Sequence, residues 1–351
     1  MSRRSAYARA GVDLRLGNQV KSKLPQLLAA TKRPEVLGEV GGFGGLFALN
    51  PQKYRDPVLV ASVDGVGTKL KLAFLLNRHD TIGQDLVNHC VNDIAVLGAE
   101  PLFFLDYLGA SQLEEGVFEA IVGGFARACT ANGCALIGGE TAQMPGFYRR
   151  GEYDLSGTIV GVVERSKLLD GSTIRPGDMV IGVASSGLHT NGYSLARRIL
   201  FDQMKLSPEV RIKGLRLPIG RELLKVHLSY GPLLRQMISK FNSGVKRRVI
   251  KGAAHITGGG IIDNLPRVLP ANCNALIHRK AWKVPAVFKI IQVQGRLSEQ
   301  EMYHVFNMGI GLTMIVSKRR AEDLMSAIKL LRHRSWIIGE VREGSGQVIL
   351  D

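Results

Sequence analysis

Short apolar, β-branched runs alternate with helical patterns along both halves of the chain, and Gly or Pro closes most of them. Strands are expected at 57–63, 102–108, 134–139 and 155–164, with helical patterns at 81–97 and 112–131 between them. The turn-rich stretch SKLLDGSTIRPGD at 166–178 reads as a linker into a second unit. There the alternation resumes, with a strand at 179–184, a helix at 191–204, helices within 219–240 and a strand at 247–256. Strands at 274–279 and 309–317, a helix at 319–333 and a strand pair at 336–350 complete it. A chain of this pattern has to bury sheets against helices, so the expected class is α+β, α/β-like, in two domains. The 351 residues agree with that count at roughly 150 residues per domain. The expected boundaries are a polar, mobile arm at 1–40 with one short helix, then domains at 41–168 and 169–351. There is no solenoid repeat and no low-complexity tract.

Charge and cysteine usage narrow the function classes. The 46 Lys and Arg against 30 Asp and Glu give a net charge of +16. That excess suits nucleic acid, phosphorylated small substrates or a generally basic proteome. The basic residues are dispersed apart from Lys246-Arg247-Arg248 with Lys251, and the 6% of aromatics do not interleave with them, so no nucleic-acid partner is expected. No apolar run approaches the ~18 residues of a membrane span. The start, MSRRSAYARAGVDLRLG, lacks the apolar core of a secretory signal, and Asp13 comes early for an organelle presequence. Cys90, Cys129, Cys134 and Cys273 form no C-x-x-C and no zinc spacing. They are expected as buried free thiols of a cytoplasmic protein.

Three acids stand where ligands meet sheets. Asp64 follows the Val58–Ala61 run within ASVDGVGTK; it reads either as the cap of a D-G turn or as a ligand position beyond a strand end. The spacing around it does not match a Walker A loop. In TIGQDLVNHCVNDIAVLG, Leu86, Val87, Cys90, Val91, Ile94 and Leu97 share one helical arc, and Asp85, Asn88, His89, Asn92 and Asp93 the other. Short acids, amides and an imidazole are poor helix formers, so that polar face suits a site or a tight interface better than solvent. Glu140 follows a buried run and Gly138-Gly139, where the bare backbone admits a ligand. Carboxylates on separate elements beside glycines fit Mg²⁺ with phosphate oxygens, not a Ca²⁺ cage.

Glycine loops supply the rest. Gly41-Gly42-Phe43-Gly44-Gly45 reads as a phosphate lid or a plain connector. Ser185–Gly192, SSGLHTNG, lies between a strand and a helix, and HITGGG at 255–260 repeats that design, so a phosphorylated substrate fits both. A lone His in either loop also suits a structural role.

The segments GGFGG, PVLVASVDGVGTKL, RHDTIGQDLVNHCVNDIAVLGAEPLFFLDYL, GGETAQMPG, SSGLHTNGYSL, AHITGGG, NLPRVLP and MYHVFNMGIG occur in this order over nearly the whole chain. Together they resemble the phosphoribosylformylglycinamidine cyclo-ligase (AIR synthetase) family. Asp93-x4-Gly98-Ala99-Glu100-Pro101 is similar to the D-x4-G-A-x-P signature of the wider ATP-using superfamily. Selenide water dikinase, another member, wants a reactive Cys near the N-terminal glycines, and residues 1–60 have none. The resemblance implies N-terminal domains that pair into a dimeric barrel with ATP sites near the interface. It also implies a C-terminal sheet flanked by helices at the substrate cleft. Domain 41–168 is then the ATP-binding and dimerisation domain, and 169–351 the substrate domain. The implied reaction transfers the γ-phosphoryl group of ATP to the substrate's formamide oxygen; the ribose-bearing nitrogen then attacks the formyl carbon and phosphate leaves.

On that footing Asp64, Asp93 and Glu140 are the expected Mg²⁺ ligands, and Asp64, Asp93 and His189 the expected catalytic residues. Gly42, Phe43, Gly44, Gly45, Lys69, Asn92, Gly139 and Glu140 are expected at ATP, with Lys69 as a point charge for phosphate. Ser186, His189, Asn191, Thr257, Gly258 and Gly259 are expected at the ribonucleotide. The partners implied are ATP, the ribonucleotide and a second copy of the chain. The alternatives are another ATP-using enzyme of the superfamily with altered substrate, or a weakly active dimeric scaffold. Val226-His227-Leu228 stand where the family has Pro-Thr and a basic residue, Gln143 replaces a Glu, and His304 replaces an Arg.

Overall fold

A computed structural model describes residues 6–12, 14–38, 42–244 and 247–351. Gly41 of the GGFGG loop and Lys246 of the basic cluster lie outside the described residues. The chain divides into two units, Met1–Val91 with Pro101–Glu164, and Asn92–Glu100 with Arg165–Asp351.

The first unit is built on four strands in the order Pro57–Gly65, Tyr153–Glu164, Glu100–Ala110, Ala135–Gln143. The first pair is antiparallel, with Asp64 opposite Gly157, and the last pair is parallel, with Asp106 opposite Gly139 and Tyr107 opposite Glu140. Two expected helices form close to their predicted bounds, at Ile82–Ala95 and Glu115–Asn132. Glycine ends both: Gly98 at φ 85° and Gly133 at φ 69°, a left-handed backbone that costs other residues more. Phe104 and Phe125 fill the space between sheet and helix with ring centroids 6.1 Å apart. Gly157 lets Phe104 lie flat on the sheet, since a Cβ there would sit 2.1 Å from the ring. Each such fully buried side chain contributes about 1.5–3 kcal/mol.

The second unit holds a six-stranded mixed sheet in the order Val348–Leu350, Cys273–Ile277, Ser335–Glu343, Met179–Ala184, Ile310–Val316, Ile250–His255. All pairs are antiparallel except the first. The central strands Met179–Ala184 and Ile310–Val316 are buried almost throughout, as their unbroken apolar sequences require. Gly231–Asn242 and Ala321–Leu330 contribute Leu233, Leu234, Met237, Leu324 and Ile328 to the core over Ile181, Leu312 and Met314.

Several expectations are corrected. The arm is not a mobile segment with one helix: it forms Ala6–Arg9, Leu14–Lys21 and Leu24–Leu28, and Lys23 pairs with Glu115 and Glu119. The helix expected at 191–204 is Tyr193–Arg197, running on into a π-helical turn at Arg198–Gln203. Leu70–Leu76, Ala286–Gly295 and Glu299–Val305 are helices that the pattern did not announce. The first is apolar except for Lys71, and AVFKIIQVQG is rich in β-branched residues, so neither shows a clean helical period.

Candidate functional site

In the first unit, Asp64 sits in the last turn of its strand, not in a free loop. Its Oδ1 accepts the N–H of Gly65 at 2.7 Å, and its Oδ2 lies 2.9 Å from Nε2 of His89. The imidazole is 4% exposed and the carboxylate 37%, so a buried ring aims an acid whose outer side stays open. His89 comes from the polar arc of the Ile82–Ala95 helix. That arc is not solvated: Asp85, Asn88, His89 and Asn92 are all buried. Asn88 accepts from Asn132 at 3.0 Å.

Lys69 departs from expectation. Its ammonium is fully buried and binds Asp85 at 2.8 Å. Burial pulls it below the usual lysine range, against the Asp85 carboxylate that holds the proton on. In this structure Lys69 neutralises a buried aspartate.

Glu140 is exposed on the Ala135–Gln143 strand. It shares a cavity of about 600 Å³ with Gly42, Phe43, Gly44, Gly45 and Asp106, a size within the range of small-molecule sites. Phe43 is fully exposed. Gly139 is required by contact, because a Cβ there would meet the Asp106 carboxylate at 2.4 Å. Asp106 escaped the sequence reading. Burial raises its carboxyl to about 7, with the Glu140 charge adding to the rise and a backbone N–H opposing it. The only sequence signal was a lone acid inside the apolar strand PLFFLDYL.

In the second unit the two glycine loops come together. Asn191 Nδ2 donates to Thr257 Oγ1 at 2.6 Å, and a Cβ on Gly258 would meet Asn191 Oδ1 at 3.0 Å. Ser186, Asn191 and Thr257 are half-buried and Gly258 is exposed; Gly259, at φ 91°, opens the Gly260–Asn264 helix. His189 is different. It is 1% exposed, holds a left-handed backbone at φ 65°, and stacks on His227 at 4.0 Å. Its Nε2 accepts the N–H of Ser186 at 3.2 Å. The ring packs inside the unit, away from the half-buried Ser186, Asn191 and Thr257 side chains.

Asn92 is likewise fully buried and serves the backbone, accepting from the Tyr230 N–H at 2.7 Å and donating to Leu228 O at 2.8 Å. Asp93 remains partly open, its carboxylate 28% exposed, with Oδ1 held 2.9 Å from Nδ1 of buried His255. Sequence reasoning passed over His89 and His255 as partners of the two acids. His304 faces Asp263 at 3.6 Å, and Val226 supplies a carbonyl to the Ser186 hydroxyl at 2.6 Å.

Two sheet units, one presenting acids beside a glycine-lined cavity and the other two joined glycine loops, define the AIR synthase-related class. Residues 50–163 match the family model "AIR synthase related protein, N-terminal domain", and 175–351 match that for its C-terminal domain. The chain belongs to the phosphoribosylformylglycinamidine cyclo-ligase family. A relative of that name from Geobacillus thermodenitrificans is 52% identical over 97% of this chain and 96% of its own length. Another from Syntrophotalea carbinolica is 48% identical over 98% and 96%. Among solved structures, thiamine-monophosphate kinase from Stenotrophomonas maltophilia superposes with a TM-score of 0.68 at 18% identity, covering 94% of this chain and 96% of that one. HypE of E. coli gives 0.65 at 20%, covering 95% and 93%. These two show the fold alone.

Proposed function

We propose that this chain closes the imidazole ring of 5-aminoimidazole ribonucleotide from formylglycinamidine ribonucleotide, consuming ATP in purine biosynthesis. The observation that carries this reading is identity near 50% over almost the full length of relatives that bear the cyclo-ligase name. The chain is an ATP-dependent ligase. Phosphoryl transfer asks a protein mainly for positioning and charge neutralisation. Asp64, Asp93 and Glu140 offer hard carboxylate oxygens, each with an open side, and that donor chemistry fits Mg²⁺. The ion would supply neutralisation of the phosphates.

The chain's own residues do the remaining work. Gly42, Phe43, Gly44, Gly45 and Gly139 line the cavity that takes ATP, and Glu140 and Asp106 stand on its wall. Ser186, Asn191, Thr257, Gly258 and Gly259 hold the ribonucleotide in the second unit. Domains at 41–168 and 169–351 behind an arm at 1–40 remain the proposed functional division, although by contacts the arm falls in the first unit and Asn92–Glu100 in the second. Leu59 and Val63 are 63% and 65% exposed on a strand at the sheet's edge, which supports pairing of two copies through this face. Among the described residues no helix is long and apolar enough to cross a membrane. Four buried free cysteines suit the reducing cytoplasm.

The test is formation of aminoimidazole ribonucleotide with one ADP released per ring, given formylglycinamidine ribonucleotide, ATP and Mg²⁺. No ring product at high enzyme concentration overturns the reading. Asp64→Asn is expected to cut turnover at least a hundredfold and raise the Mg²⁺ requirement; unchanged Mg²⁺ dependence would remove Asp64 from the metal set.

A further inference from the structure

Around Asp93 the second unit builds a closed circuit of buried side chains that no family role accounts for. Asn92 and Asp93 are neighbours on one helix. Asn92 Nδ2 lies 3.1 Å from His227 Nε2, His227 Nε2 lies 3.0 Å from His255 Nε2, and His255 Nδ1 returns to Asp93 Oδ1 at 2.9 Å. His227 is fully buried and His255 nearly so.

The direction of each hydrogen bond follows from the donors. Asn92 Oδ1 accepts from Tyr230, so its amide group is fixed, and Nδ2 gives one hydrogen to Leu228 O and the other to His227. His227 Nε2 is therefore an acceptor, and its proton sits on Nδ1, 3.3 Å from Thr190 Oγ1. His255 bridges the two, with Nε2 against His227 and Nδ1 against Asp93.

The cluster also meets the spacing of a metal site, since His189, His227 and His255 place one nitrogen each within 4.8 Å of the others. The donor geometry opposes that use. The rings of His189 and His227 are stacked at 21°, so their in-plane lone pairs do not converge, and an amide N–H already points at His227 Nε2.

We propose that His227 is a positioning residue: it fixes His255, and through it holds Asp93 Oδ1 so that the second carboxylate oxygen can serve a metal. This rests on the reading of Asp93 as a metal-side carboxylate. The cyclo-ligase reaction in this chain would thus hold one of its acids by an imidazole pair.

The test is Mn²⁺ binding to the full chain with a non-hydrolysable ATP analogue, followed by electron paramagnetic resonance. Asp93→Asn, which removes a ligand, is expected to weaken Mn²⁺ binding by at least about tenfold, and His227→Leu, a change behind that ligand, by about tenfold. In the Asp93→Asn background, His227→Leu should add less than twofold. His227→Gln, which keeps an acceptor, should stay within about threefold of the parent.

If Asp93→Asn binds as the parent does, the metal reading fails and the inference with it. If Asp93→Asn is weak but His227→Leu binds normally, or if its loss is the same in both backgrounds, the inference alone fails. Should His227→Leu not fold, ¹⁵N histidine shifts of the unaltered protein decide the matter. Nδ1–H on His227 supports the circuit; Nε2–H on His227 overturns it. None of these readouts needs turnover, so failure of the proposed reaction is seen separately.

Discussion

Asp64 and Asp93 were legible as single residues because an acid at a strand end or on an odd helix face is conspicuous in one dimension. Their partners were not. His89, His227 and His255 come from separate stretches of chain, and only folding shows that buried imidazoles aim the acids. The partner of Lys69 was hidden in the same way: a lysine beside glycines resembles a phosphate ligand, and only the fold shows Asp85, sixteen positions on, against it. Asp106 carries a prediction at this scale. Its folded-state carboxyl is raised to about 7, so its contribution to stability is complete below the unfolded value and is lost as pH rises toward 7. A rise of about three units is worth ~4 kcal/mol at most, and access of water from the cavity cuts this to on the order of 2 kcal/mol. Asp106→Asn, which mimics the protonated acid, should gain about that much on the parent between pH 4 and pH 8 in urea unfolding. Parallel pH profiles of the two proteins would refute it.

At the scale of elements, strands with β-branched runs and helices with a clear apolar arc were readable, and Ile82–Ala95 and Glu115–Asn132 lie within three residues of expectation at each end. Helices without an arc were not readable, because apolar residues such as Leu75 and Val293 stand on the exposed side and blur the periodicity. Nor could the sequence show that these two helices touch at glycine. A Cβ on Gly83 would lie 2.2 Å from Ile121 O and 2.7 Å from Phe125 N, and Gly124 meets Gly83 Cα in turn. Alanine would add about 1 kcal/mol of helix propensity, yet the backbones must part to admit the methyl group. Gly83→Ala is accordingly expected to destabilise by roughly 2 kcal/mol net, seen as a lower thermal midpoint, and turnover should fall with it because the same helix carries His89. A raised midpoint would show that the helices yield freely.

For the whole molecule, alternation of strands and helices was enough to give two α+β bodies, and the matches at 50–163 and 175–351 fall on the same two stretches. What alternation leaves open is which sheet face goes uncovered, since exposure depends on neighbours. If Leu59 and Val63 meet a second copy, Leu59→Lys with Val63→Lys should convert a dimer to a monomer in light scattering, with ATP turnover reduced. A doubly substituted protein that stays dimeric would place the interface elsewhere. The buried cysteines have a practical consequence. Cys90, Cys129 and Cys134 belong to the first unit and Cys273 to the second, and all four thiols are shielded from solvent. A thiol reagent added to the native protein is consumed only as fast as each body breathes open. Labelling should proceed in two kinetic classes, three sulfurs moving together and one apart, so the chain carries a built-in clock for the separate opening of its halves.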